Sequence, residues 1–114
     1  MSKFDDLLEV YKTEFKKVLS EELDEDFLTK VTKGLGPSIY KADASKVSGS
    51  DKKELETVKK NFLIKKLGLE NTPALDEAID EVVEKLGRSN RNKYRAIVYY
   101  LLAKKFNKEE VYNK

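Results

Sequence analysis

Residues 72–87 read Thr72-Pro73-Ala74-Leu75-Asp76-Glu77-Ala78-Ile79-Asp80-Glu81-Val82-Val83-Glu84-Lys85-Leu86-Gly87, and this stretch decides the fold class. Thr72 is a capping residue, and Pro73 falls at the first helical position, where the missing N–H has no intrahelical acceptor to lose. Leu75, Ile79, Val82, Val83 and Leu86 recur at steps of three and four, so they share one face of a 3.6-residue helix while acids occupy the other. Gly87 supplies the stop. A helix with one apolar face must bury it against another element, and the flanking sequence shows of what kind.

Upstream, Asp51 and Glu54 have capping-box spacing and open an amphipathic stretch through Leu55, Val58, Phe62 and Leu67 that Gly68 ends, with Ile64 and Leu69 placed for a Schellman contact. Further upstream, Phe4, Leu7, Leu8, Tyr11, Phe15, Val18 and Leu19 predict a first helix from about Lys3 to Leu19. Asp24 is the N-cap of a second, over about Glu25 to Lys33, with Leu23 and Leu28 as its staple and Gly34 as its stop. Downstream, Asn90 is read as the cap of a last long helix with an inward stripe of Tyr94, Ile97, Val98, Leu101 and Leu102, ending near Phe106. A final turn, Asn107 to Tyr112, is expected to dock back on the core.

One long non-helical segment, Gly34 to Ser50, remains, and connections of that length are uncommon unless packed or functional. Nowhere do apolar and polar residues alternate long enough to make a strand. The expected fold is therefore all-α: a single domain over residues 1–114, built as a compact irregular or orthogonal bundle of about five helices with one long packed loop.

Composition bounds the chemistry. The chain has 114 residues, sufficient for one core without staples, and its +2 net charge is too small to imply a polyanion partner in bulk. It has no cysteine, so disulfides, thiol nucleophiles and thiolate ligands are excluded. It has no histidine either, which removes imidazole relays and His-containing metal sites. No catalytic residue, metal ligand or cofactor is assigned, and a non-enzymatic protein is expected. Met1 to Val10 carries Lys3, Asp5, Asp6 and Glu9 where a secretory signal needs an apolar run, and no stretch suits a bilayer, so a soluble cytoplasmic protein with no membrane role is expected.

Three segments, Gly34-Leu35-Gly36-Pro37-Ser38-Ile39-Tyr40, Asn61-Phe62-Leu63-Ile64-Lys65-Lys66-Leu67-Gly68-Leu69 and Ser89-Asn90-Arg91-Asn92-Lys93-Tyr94-Arg95-Ala96, resemble a small bacterial family known only as a domain of unknown function, family 2853. The likeness extends over nearly the whole chain. It implies a bacterial cytosolic protein with a helical fold and carries no activity or site residue.

Charge is segregated beyond what folding requires. From Gly68 to Gly87, Glu70, Asp76, Glu77, Asp80, Glu81 and Glu84 stand against Lys85, a local charge of −5. From Arg88 to the end, Arg88, Arg91, Lys93, Arg95, Lys104, Lys105, Lys108 and Lys114 stand against Glu109 and Glu110, a local charge of +6. The acids repeat at spacings of four, which costs an isolated helix a few tenths of a kcal/mol per pair. Basic neighbours, including Lys59 and Lys60, are the expected counter-charge; a carboxylate cation site fits less well, because a helix face spreads its oxygens along a ladder.

Arg88, Arg91 and Arg95 crowd the positive end of the last helix, an arrangement that favours an anion. With Tyr99 one turn beyond Arg95, and Lys93 and Lys104 nearby, they form a candidate anion or partner site in which a ring stacks a base while arginines hold phosphates. The competing expectation is that these arginines pair with acids of the 72–87 helix or cover apolar surface with their stems. Gly34-Leu35-Gly36-Pro37-Ser38 lacks the lysine of a phosphate loop, and its simpler role is to turn the chain so that Ile39 and Tyr40 reach the core. The leading expectation is a non-catalytic accessory module that meets a protein partner, or a second copy of itself, through the last helix and the 34–50 loop. The alternative is nucleic-acid or other polyanion binding through the basic stripe.

Overall fold

The computed structural model describes residues 3–19, 21–41, 45–47, 51–87, 90 and 93–112. Five helices lie among them: α1 (Lys3–Val18), α2 (Glu25–Leu35), α3 (Lys52–Thr57), which runs on as a π-helix over Val58–Ile64, α4 (Pro73–Leu86) and α5 (Arg95–Lys105). Two 3₁₀ turns, Gly36–Tyr40 and Glu109–Tyr112, complete the regular structure. Extended pairing among the described residues is confined to a bridge between Lys46 and Tyr94, and the protein is an all-α bundle.

Two of the four expected caps form. Asp24 accepts from the Phe27 N–H at 3.1 Å, and Asp51 accepts from Lys53 N–H at 3.0 Å and Glu54 N–H at 3.4 Å. The capping box at Asp51 is only half formed, however, because Glu54 turns away to Arg95. Thr72 precedes Pro73 with extended backbone but makes no side-chain cap, so the start of α4 rests on the proline.

The stops differ more. α2 runs through Gly34 to Leu35 and ends at Gly36, whose φ of +63° is the left-handed conformation a side chain resists. Gly34 has another use: a Cβ there would lie 3.2 Å from Cε1 of Tyr112, so its bare Cα lets the C-terminal turn close on α2. Beyond the π-helix, Gly68 N–H donates to the Ile64 carbonyl and Leu69 N–H to the Leu63 carbonyl, both at 3.1 Å, a nested pair like that of a Schellman motif but one residue wider. The π-helix itself escaped the sequence: apolar positions four apart suit either winding, and only bonds such as Leu67 N–H to Phe62 O at 2.9 Å reveal the wider turn.

Asn90 does not start the last helix. Its amide donates to the Leu86 carbonyl at 2.9 Å and to Glu14 at 3.2 Å, so it closes α4 and ties it to α1. Val47 N–H donates to Lys93 O at 2.8 Å, Tyr94 has extended backbone, and α5 begins at Arg95.

The core is one cluster, and α5 lies across it against α1, α2 and α4. Seven of its eleven residues are buried, Ala96, Ile97, Val98, Tyr100, Leu101, Leu102 and Ala103, so the helix has almost no outward face. Phe15 and Phe27 flank the Tyr100 ring at 5.3 and 5.4 Å between centroids. The 34–50 segment contributes Ile39 and Val47 to the interior, whereas Tyr40 stays 50% exposed, contrary to its expected burial. Tyr112 docks the C-terminal turn, with its ring edge-on to Phe27 at 5.5 Å.

Tyr11 is fully buried against Tyr94, and its hydroxyl has no hydrogen-bond partner among the described residues. Burial, followed by the neighbouring Tyr94 and Tyr40, pushes its pKa up to about 12. A buried unpaired hydroxyl costs about 1–3 kcal/mol, so Tyr11→Phe is expected to stabilise the protein by about 1 kcal/mol and to raise Tm by about 4 °C in a thermal melt.

Candidate functional site

The basic stripe can be followed residue by residue. Arg88 and Arg91 lie outside the described residues. Arg95 is 11% exposed in its side chain and paired with Glu54 of α3, itself 24% exposed. Its guanidinium also donates to the Tyr99 hydroxyl at 3.2 Å. The counter-charge comes from α3 rather than α4, because the acid released from the half-formed capping box stands where α3 crosses the start of α5.

Tyr99 is not a free ring. It stacks on Phe62 with centroids 3.9 Å apart and planes within 12°, half-buried between α3 and α5. Lys93 is 4% exposed, and its ammonium donates to the Asn90 carbonyl, so it faces inward where a surface cation was expected. Lys104 holds Asp24 at 3.0 Å and Glu109 at 3.6 Å while lying over the rings of Phe27 and Tyr100. The four described members of the stripe are thus engaged by their own fold, because a helix buried on so many sides has no separate polar face.

The acidic ladder of α4 is met in the same way. Asp76 faces the nearly buried Lys59 at 3.3 Å, and Glu81 is paired with Lys105 of α5. Lys85 turns to Glu21 in the connection between α1 and α2. Opposite charges on neighbouring helices therefore meet across their contacts, as the segregated sequence leads one to expect.

A cleft of about 620 Å³ lies where this connection meets α5, lined by Glu21, Glu22, Asp24, Asp26, Tyr100 and Lys104. Its central polar atoms are bonded to one another: Asp24 N–H donates to the Tyr100 hydroxyl at 2.9 Å, and Lys104 holds the Asp24 carboxylate. Lys104, followed by the Phe27 N–H, keeps the pKa of Asp24 below the ordinary carboxylate range. Burial raises that of Tyr100, so its phenol stays protonated. The cleft is an end-cap joining α2 to α5.

The exposed apolar surface is elsewhere. Among the described residues the large hydrophobic side chains left exposed are Val10, at 42%, and Tyr40, at 50%. Tyr40 and Ile39 line a groove of about 290 Å³ with Lys3, Asp6 and Leu7 of α1, and Val10 stands one helical turn further along. Sequence reasoning missed this surface. Val10 falls between the core positions of α1, and nothing local distinguishes an outward Tyr40 from an inward one.

The fold and this surface define a small all-α bundle whose opposite charges meet across helix contacts and which, among the described residues, leaves an aromatic–aliphatic patch exposed. Residues 10–110 match the model of the family described as Protein of unknown function (DUF2853), and the chain belongs to that family. No curated protein matches the sequence. No helix among the described residues is long and apolar enough to cross a membrane.

Two measurements check the internal roles. Glu54→Ala leaves the Arg95 guanidinium nearly buried without its carboxylate and is expected to cost about 2 kcal/mol in denaturant unfolding. Asp24→Ala is expected to cost about 1 kcal/mol at neutral pH. Because the folded-state pKa of Asp24 is depressed, its contribution is present above the ordinary aspartate value of about 4 and is lost as pH falls below it, so the gap between variant and wild type should close in acid.

Proposed function

We propose that this chain is a non-catalytic protein-interaction module, an accessory protein of the bacterial cytosol, whose contact surface joins the Gly36–Tyr40 turn to the outer face of α1. The observation that carries this reading is the placement of the exposed Tyr40 and Val10 on either side of Asp6 and Leu7, which gathers apolar surface into one patch rimmed by charge. An aromatic ring held half-exposed on a short turn is the kind of residue that anchors a partner. Support also comes from chemistry: the chain has neither imidazole nor thiol, and the cations of the last helix that are described are already engaged.

This reading keeps the 34–50 segment as part of the contact surface and exchanges the last helix for α1, because α5 is buried on most of its circumference. Polyanion binding is the less supported alternative, since Arg95 and Lys104 would have to leave Glu54 and Asp24 to reach phosphates.

A photo-crosslinking residue placed at position 40 tests the proposal in cells. It is expected to give an adduct of discrete mass, with a weaker one from position 10 and none from the exposed Glu77 on α4. A folded protein giving no adduct from position 40, or the same adducts from position 77, would contradict it.

A further inference from the structure

The outer face of α1 carries more information than apolar exposure. Asp6, Val10, Thr13 and Lys17 are all exposed and follow one another at steps of four, three and four, so they form a single stripe along the helix. The stripe reads acid, apolar, small, base. Lys12, to one side, is held by Glu25 at 3.0 Å, whereas Asp6 and Lys17 have no ion-pair partner among the described residues. These two opposite charges stand at the two ends of the same exposed line.

We infer that this stripe binds a second copy of the chain, as an antiparallel pair of α1 helices about a two-fold axis passing between Val10 and Thr13. The inference rests on the contact surface proposed above and names its partner. A two-fold contact must be self-complementary, and this register is. Asp6 of one copy faces Lys17 of the other at both ends, and each Val10 meets the small Thr13 across the centre, leaving room for close approach. A parallel pairing would set Asp6 against Asp6 and Lys17 against Lys17. The contact is small and its charges are exposed, so the dimer is weak, concentration-dependent and loosened by salt.

Sedimentation equilibrium of the full chain over rising concentration tests this with a charge exchange. The wild type is expected to dimerise reversibly. Asp6→Lys alone and Lys17→Asp alone are each expected to weaken dimerisation roughly tenfold by setting like charges opposite each other, and the double exchange D6K/K17D is expected to restore it to within about threefold. All four positions of the stripe are exposed, so the variants should keep the wild-type circular dichroism spectrum. A chain that stays monomeric at every concentration, or a dimer whose strength ignores the reversals or is not rescued by the double exchange, would overturn the inference. A monomer that still gives a discrete heterologous adduct from position 40 would sink self-association and leave the interaction surface standing; a monomer giving no adduct would remove both.

Discussion

The structure depends on burying α5 on most of its circumference. A helix so placed leaves no room for a conventional polar face, yet α5 carries Arg95, Tyr99, Tyr100 and Lys104, and each of these polar groups needs a partner in the surrounding shell. Glu54 and Tyr99 meet the guanidinium, the Asp24 N–H meets the Tyr100 hydroxyl, and the Asp24 carboxylate meets Lys104. These contacts fix how α2 and α3 sit on α5. The departure of Glu54 from its capping box and the stacking of Tyr99 on Phe62 follow from the same requirement.

Seen this way, the charge segregation is an assembly device. Basic α5 lies beside acidic α4 and draws Lys105 to Glu81, while Lys59 from the π-helix reaches Asp76. Exposed pairs of this kind each add little stability, but with opposite signs on neighbouring elements they oppose any arrangement that sets like charges together. The wider π turn brings Val58, Lys59, Phe62 and Leu63 to the interior together, so the same stretch supplies both the platform under Tyr99 and the cation for α4.

Much of this was legible in the sequence, and the boundary between what was and was not follows physical range. Caps, apolar periodicity and the proline at the start of α4 act within one or two turns, and they placed the starts of the first four helices, whereas the last begins at Arg95 rather than just after Asn90. Gly34 and Asn90 were misread because their roles are set at a distance: Gly34 makes way for Tyr112, and Asn90 joins Leu86 and Glu14 instead of opening α5. The setting of the basic stripe was hidden for a related reason. Helical-wheel reasoning assumes one wet face, and α5 lacks one, so Arg95 and Tyr99 are held by Glu54 and Phe62. The exposed Tyr40 and Val10 were invisible because exposure is a property of the assembled surface.

If burial of α5 organises the domain, its backbone amides should open only when the whole protein unfolds. Residue-resolved native-state hydrogen exchange measures this most directly. The amides of Val98 to Lys105 are expected to be the most protected in the chain, with an opening free energy equal to that of global unfolding, and those of the first turns of α1 among the least protected. Exchange from α5 at low denaturant, as fast as from α1 and independent of global unfolding, would contradict the account.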